Sequence, residues 1–179
     1  MKHSFFLALL MLAEVFSYGQ DNRVSLTGGY SFAVIKDVDT HGSGWNIRGL
    51  YEFNRVGDNL AHGISIGVIH FKASSDDRSS EVTTWPVGYA PKLFFGGGSF
   101  RGFVKVAVGL HTTRVITEGP ALTSDDMDFG FFGGLGAGVE YLFNEKFFIN
   151  AEYELDFLSN SYYKDGLINN ISLGLGMRF

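Results

Sequence analysis

The sequence predicts an all-β fold, an eight-stranded antiparallel up-and-down transmembrane β-barrel with a polar, filled interior, set behind an N-terminal signal peptide. Three observations predict it. Apolar and polar residues alternate with period two along most of the chain. The alternating runs are about ten residues or longer, the length a tilted strand needs to cross a bilayer. Charges and glycines fall on one face of these runs, and bulky apolar side chains fall on the other.

The first element is the leader. Lys2 and His3 form a basic start, and Phe5–Ala13 is a nine-residue apolar run. Ser17 and Gly19 supply small residues for cleavage before Gln20. Nine residues are too few for a membrane helix, which needs about 20. The reading is therefore a signal peptide over 1–19 and a barrel domain over 20–179. The absence of Cys excludes disulfides, thiolate metal sites and lipid attachment at a mature N-terminal Cys. With 18 Phe and 8 Tyr the chain is too aromatic for disorder. A net charge of -5 argues against a phosphate-binding surface for nucleic acid.

Strands are expected at 24–34, 44–53, 61–71, 82–95, 100–114, 127–143, 147–157 and 167–179. The second presents Trp45, Ile47, Tyr51 and Phe53 on one face, with Arg48 and Glu52 on the other. The fourth carries Lys92 on its polar face, and the fifth sets Val104, Val106, Val108 and Leu110 against Arg101 and Lys105. The sixth places Gly134, Gly136, Gly138 and Glu140 together, and the seventh aligns Glu152, Glu154 and Asp156 against Ile149, Tyr153, Leu155 and Phe157. The last is the clearest: Ile171, Leu173, Leu175, Met177 and Phe179 share one face, and Arg178 lies on the other with Gly174 and Gly176. Connections at 54–60, 96–99 and 144–146 are short, whereas those at 35–43, 72–81, 115–126 and 158–166 are longer and polar. Short turns on one side and longer loops on the other are the layout of a membrane barrel, with both termini on the short-turn side.

Packing decides which face looks where. The lumen of an eight-stranded barrel has room only for a modest set of side chains. The bulky apolar class is too large for it, so that class faces lipid and the small and charged class faces inward. Aromatic placement agrees. Tyr30, Trp45, Trp85, Phe129 and Phe157 would mark the outer interface, and Phe53, Phe95, Phe100, Phe143, Phe147 and Phe179 the periplasmic one.

The leader, the eight strands and the closing ISLGLGMRF with its terminal Phe resemble small outer-membrane β-barrels of the OmpA/OmpX-like superfamily. The stretch TTWPVGYAPKLFF (83–95) resembles the PorT-like barrels of Bacteroidetes. The resemblance implies residence in a Gram-negative outer membrane, contact with its lipid and lipopolysaccharide, and a monomer. It also implies that Leu173, Leu175, Met177 and Phe179 are read by the barrel-assembly machinery. No periplasmic domain follows the barrel strands in this sequence, so peptidoglycan anchoring is not implied.

Function classes then narrow. The inward bases Arg48, Lys92, Arg101, Lys105 and Arg178 balance the inward acids Glu52, Glu140, Glu152, Glu154 and Asp156. Charges in a narrow lumen need partners, so a salt-bridged core that closes the barrel is expected. Glu152, Glu154 and Asp156 would draw theirs from across the lumen, chiefly from the second, fourth and fifth strands. An ion or solute path through the same pairs is the alternative. A lipid-modifying enzyme is a third reading, but no His-x-Ser pair occurs, and His62 and Ser65 would point to opposite faces. No catalytic, cofactor or metal residues are expected. The longer loops hold nine acids (Asp37, Asp39, Asp76, Asp77, Glu81, Glu118, Asp125, Asp126, Asp165) against Lys36, Arg78 and Lys164. They read as a solvated rim, as ligands for divalent cations shared with lipopolysaccharide phosphates, or as a surface that meets a basic partner.

Overall fold

The computed structural model describes residues 20–35, 40–55, 59–75, 78–118, 123–159 and 162–179, and the expected leader lies outside them. The described chain folds into β1 (Gln20–Ile35), β2 (Thr40–Arg55), β3 (Leu60–Ser75), β4 (Arg78–Tyr89), β5 (Lys92–Gly97), β6 (Phe100–Glu118), β7 (Thr123–Leu142), β8 (Phe147–Leu158) and β9 (Tyr163–Arg178). All pairings are antiparallel, and the ring closes because β1 pairs with both β2 and β9 while β2 also pairs with β3.

Nine strands make eight staves. β4 and β5 both lie between β3 and β6 and keep one register, Tyr89 facing Val108 and Lys92 facing Lys105. On the other edge Ile64 faces Tyr89 and Ala61 faces Lys92. Only Ala90 and Pro91 leave the ladder, since proline has no N–H to contribute. Even there Ala90 N donates to Gly63 O at 2.8 Å, and Val106 N donates to Pro91 O at 3.1 Å.

The strands run further than their hydropathy predicts. Three of the four longer connections shrink to the gaps between Ile35 and Thr40, Ser75 and Arg78, and Glu118 and Thr123; the fourth to that between Leu158 and Tyr163. Glu81, Glu118, Asp125, Asp126 and Asp165, expected in loops, belong to strands, while Asp37, Asp39, Asp76, Asp77 and Lys36 lie outside the described residues. The physical reason is that backbone pairing continues past the membrane, where either face can be polar, so alternation fades before the ladder does. β6 and β7, 19 and 20 residues long, have roughly twice the length needed to span.

Two sites bend the ring. The β1–β9 register shifts between Ala33 and Ile35, where Asp165 (φ 58°) and Gly166 (φ 68°) adopt left-handed backbone. A Cβ on Gly166 would sit 2.3 Å from Leu158 O. At the other end, Asn144 Oδ1 accepts from the N–H groups of Lys146 and Phe147 at 2.8 Å each and shapes the β7–β8 turn.

Exposure fixes the orientation. Leu173, Leu175 and Val106 are 70%, 67% and 49% exposed, whereas Arg48, Lys105 and Glu152 are 4%, 4% and 7% exposed. The greasy face is the outer wall and the charged face lines the lumen. No described helix is long and apolar enough to cross a membrane, and the crossing is by strands.

Candidate functional site

The lumen is filled in three tiers. Nearest the rim opposite the termini, Ile35, Ile69, Phe71, Val82, Val115, Phe132, Leu158, Tyr163 and Ile168 form a buried apolar cluster. Phe71 meets Tyr163 edge-on at 5.6 Å. The Tyr163 hydroxyl lies 3.0 Å from Thr84 Oγ1, which is itself 2.9 Å from Thr113 Oγ1, so the buried hydroxyls satisfy one another. The sequence predicts a polar interior, and this tier corrects that expectation. Its residues occupy inward positions of strands whose remaining inward positions are mostly small, polar or charged. The alternation marks which face is inward but does not require the inward face to be polar throughout.

The middle tier holds the acids of β8. Arg48 reaches Glu154 at 2.5 Å and Asp156 at 2.8 Å. Lys105 sits 3.1 Å from both Glu152 and Glu154. Asn170 Nδ2 donates to Asp156 at 2.9 Å, and Ser31, Asn46 and Ser172 extend the network toward β1 and β2. The partners of the β8 acids thus come from β2 and β6. Lys92 does not join them; its ammonium lies 3.3 Å from Glu52, with both side chains fully buried.

The lowest tier lies toward the termini. Glu140 Oε1 accepts from Arg23 at 2.6 Å and from Arg101 at 2.9 and 2.7 Å. Phe94, Phe103 and Phe148 are buried among these charges. Arg23 lies 4.4 Å from the centre of the Phe148 ring and 5.0 Å from that of Phe94. Lys92 sits 4.3 Å from the Phe103 centroid and Arg101 4.2 Å from that of Phe94, distances at which a ring's negative face attracts a cation. Glycines make the room, since a Cβ on Gly176 would meet the Phe148 ring at 2.1 Å and one on Gly138 the Phe103 ring at 2.5 Å. Arg178 faces this tier and is half-buried.

Sequence reasoning missed Arg23 and the three aromatic rings. Arg23 shares the parity of Ser25 and Thr27, so beginning the first strand one residue earlier would find it. The rings stand at inward positions, where outward parity is the usual signature of an aromatic in a barrel wall.

On the outer wall, Leu173, Leu175, Met177 and Phe179 all face out and are exposed, as are Trp45, Trp85, Phe95 and Phe147, while Phe53 is half-covered by stacking on His62. His62 contacts the Tyr89 hydroxyl on the outside while Ser65 is buried inside, so the two do not form a pair. His70 accepts or donates at Thr83 (2.9 Å), meets Glu81 at 3.1 Å and lies 5.4 Å from the Trp45 ring. Outside the membrane, Arg114 grips Asp125 through two bonds of 2.8 and 2.6 Å. That pairing holds the Asp125 carboxyl below its ordinary value and the Arg114 guanidinium above its own. No group of three or more acidic or histidine side chains among the described residues could hold a metal ion.

The fold is shared with solved barrels. Neisserial surface protein A aligns with a TM-score of 0.68 at 12% identity, covering 88% of this chain and 97% of that one. A major outer membrane protein from Thermus thermophilus aligns at 0.62 and 11% identity, covering 88% and 99%. Ail, the attachment invasion locus protein of Yersinia pestis, aligns at 0.54 and 20% identity, covering 89% and 99%. No curated protein matches the chain by sequence. Residues 4–179 match the outer membrane protein beta-barrel domain, so the chain belongs to that family and is an integral barrel of the Gram-negative outer membrane.

Proposed function

We propose that this protein is a closed, non-enzymatic barrel that acts in the envelope as a structural element or through its outer rim. The observation that carries the reading is the stacked filling of the lumen. An apolar tier of Phe71, Phe132, Tyr163 and Ile168 lies above a tier in which Arg48 and Lys105 bind Glu152, Glu154 and Asp156. A continuous water path would have to displace both. Its partners on this reading are outer-membrane lipid and lipopolysaccharide along the wall, and the assembly machinery at Leu173, Leu175, Met177 and Phe179 during insertion. In planar bilayers the protein gives no steady nanosiemens openings, and liposomes carrying it take up small sugars no faster than empty ones. Sustained conductance would overturn the closed reading.

A narrow path for a small solute or ion is the second reading. It is favoured by buried polar atoms of the lower tiers that lack a hydrogen-bond partner, among them Glu52 Oε2 and Asp156 Oδ1. Ail has been crystallised with the heparin analogue sucrose octasulfate. The acids gathered at the outer strand ends and in the connections between them suit a basic partner better than a polyanion, and no retention on heparin is expected.

A further inference from the structure

β7 carries an open backbone edge above the membrane. β8 stops at Leu158, opposite Phe132, while β7 begins at Thr123. Among the described residues Thr123–Gly130 therefore pair with β6 alone. Phe131 shows which backbone groups face the gap. Its N–H donates to Ser159 Oγ at 2.7 Å, and its carbonyl accepts from Ser159 N at 3.0 Å. Backbone groups alternate sides along a strand, so Phe129, Met127 and Asp125 turn theirs the same way. The Phe129 N–H donates to the Asp128 carboxylate at 2.8 Å. The N–H groups of Met127 and Asp125 and the carbonyls of all three have no partner among the described residues. The two faces of this edge differ. Counted along β7 from Tyr141 at the periplasmic girdle, the ~9–11 residues that cross a bilayer end near Phe131. Met127 and Phe129 thus stand above the lipid on the outer face, 70% and 65% exposed, and apolar side chains so exposed to water mark an interaction surface. On the other face Asp126 and Asp128 stand opposite the uncharged Val115 and Thr113 and form no ion pair with a described residue.

We propose that the Thr123–Gly130 edge of β7 takes up an extended basic segment of a partner polypeptide as an added strand. An unpaired edge is a template for strand pairing. In such complexes the main-chain bonds supply affinity and the alternating side chains supply selectivity. Neighbours across a strand pair share a face, so the partner sets apolar side chains beside Met127 and Phe129 and bases beside Asp126 and Asp128. A second copy of this chain is a poor occupant, because antiparallel pairing of the two edges sets these acids against one another, and like charges so placed repel. The proposal rests on the reading that the protein acts through its outer rim. It does not involve the lumen, so its failure leaves the conductance test of the closed barrel untouched.

The test uses the refolded full chain in phosphatidylcholine nanodiscs. The probe is a blocked peptide of alternating lysine and valine, about eight residues long to suit a single strand. Saturable binding is expected, with amide exchange at Asp125 and Met127 slowed at least tenfold at saturation and exchange at Asp126, whose N–H turns to β6, unchanged. A fully N-methylated form of the peptide keeps the charges but cannot donate to the edge carbonyls, and it is expected to bind at least tenfold more weakly. A glutamate–valine peptide is expected not to bind. Met127→Pro removes an edge N–H without touching the β6 ladder and is expected to weaken binding at least tenfold. Folding is checked by the shift of the unboiled band on gels. If Met127→Pro fails that check, the double variant Asp126→Asn, Asp128→Asn is expected to bind several-fold more weakly. Absence of saturable binding by the parent chain overturns the proposal. So does equal binding of the N-methylated or the acidic peptide, or unchanged affinity in a folded variant. Self-association of the parent chain that Met127→Pro abolishes assigns the edge to a second copy and overturns it as well.

Discussion

Toward the outer rim the lumen is packed by Ile35, Phe71, Val82, Val115 and Ile168, while toward the termini it is packed by Arg23, Lys92, Arg101, Glu52 and Glu140 around three phenylalanines. The same strands and the same parity class supply both. The difference shows that a small barrel solves one packing problem twice. At the outer end side chains simply fill space, with their few hydroxyls satisfied by one another. At the other end every charge needs an opposite charge or a ring face within reach. An apolar tier tolerates small losses of volume, whereas an ionic tier fails when one partner is removed, because the remaining charge stays buried.

The sharpest way to break the comparison between apolar and ionic packing is Arg48→Met, in the ionic tier between the two ends. It leaves Glu154 and Asp156 without their guanidinium, and a loss of about 3–5 kcal/mol is expected on the scale of broken buried pairs. Urea unfolding from lipid vesicles measures it. Adding Glu154→Gln and Asp156→Asn removes both sides of the pair and is expected to recover most of the loss. A single variant as stable as the parent would mean that water already solvates these acids. The outer tier should respond more gently. Ile168→Val removes one methylene from a fully buried side chain and is expected to cost about 0.5–1.5 kcal/mol. A loss there as large as that of Arg48→Met would erase the distinction between the tiers.

Much of this was legible in the residues. Alternation gave the staves, and a packing argument on the lumen's width gave the direction of the faces, which Leu173 and Lys105 display most clearly. Pairing of Glu152, Glu154 and Asp156 with bases from distant strands followed from their alignment on β8, where β9 offers only Arg178. Two things were not legible. Inward Phe71 and Ile69 look like any strand hydrophobes, because parity is counted by majority and two apolar inward residues do not change it. The choice of Glu52 by Lys92 over the β8 acids depends on strand stagger around the ring, which long-range register sets and local pattern does not.

The smallest effect compares one chemistry in two places. Arg114 and Asp125 meet at 2.6 Å, the same distance as Arg23 and Glu140, but the first pair is about half exposed and the second is buried. The hydrogen bond from Arg114 lowers the Asp125 pKa. A carboxylate so lowered contributes its stabilisation above the ordinary carboxylate range and loses it as pH falls through the lowered value. Solvent and salt screen an exposed pair, so the contribution should be local. The measurement is amide exchange at Thr117 and Ser124, which face each other across the upper end of the β6–β7 hairpin. Acidification below the ordinary aspartate range is expected to speed opening there more in the parent than in Asp125→Asn, after correction for the intrinsic pH dependence of exchange. Added salt should act in the same direction, while the urea midpoint of the whole barrel stays unchanged in that variant. A shifted midpoint would place Asp125 among the groups that hold the barrel together and would make the outer hairpin energetically continuous with the lumen below it.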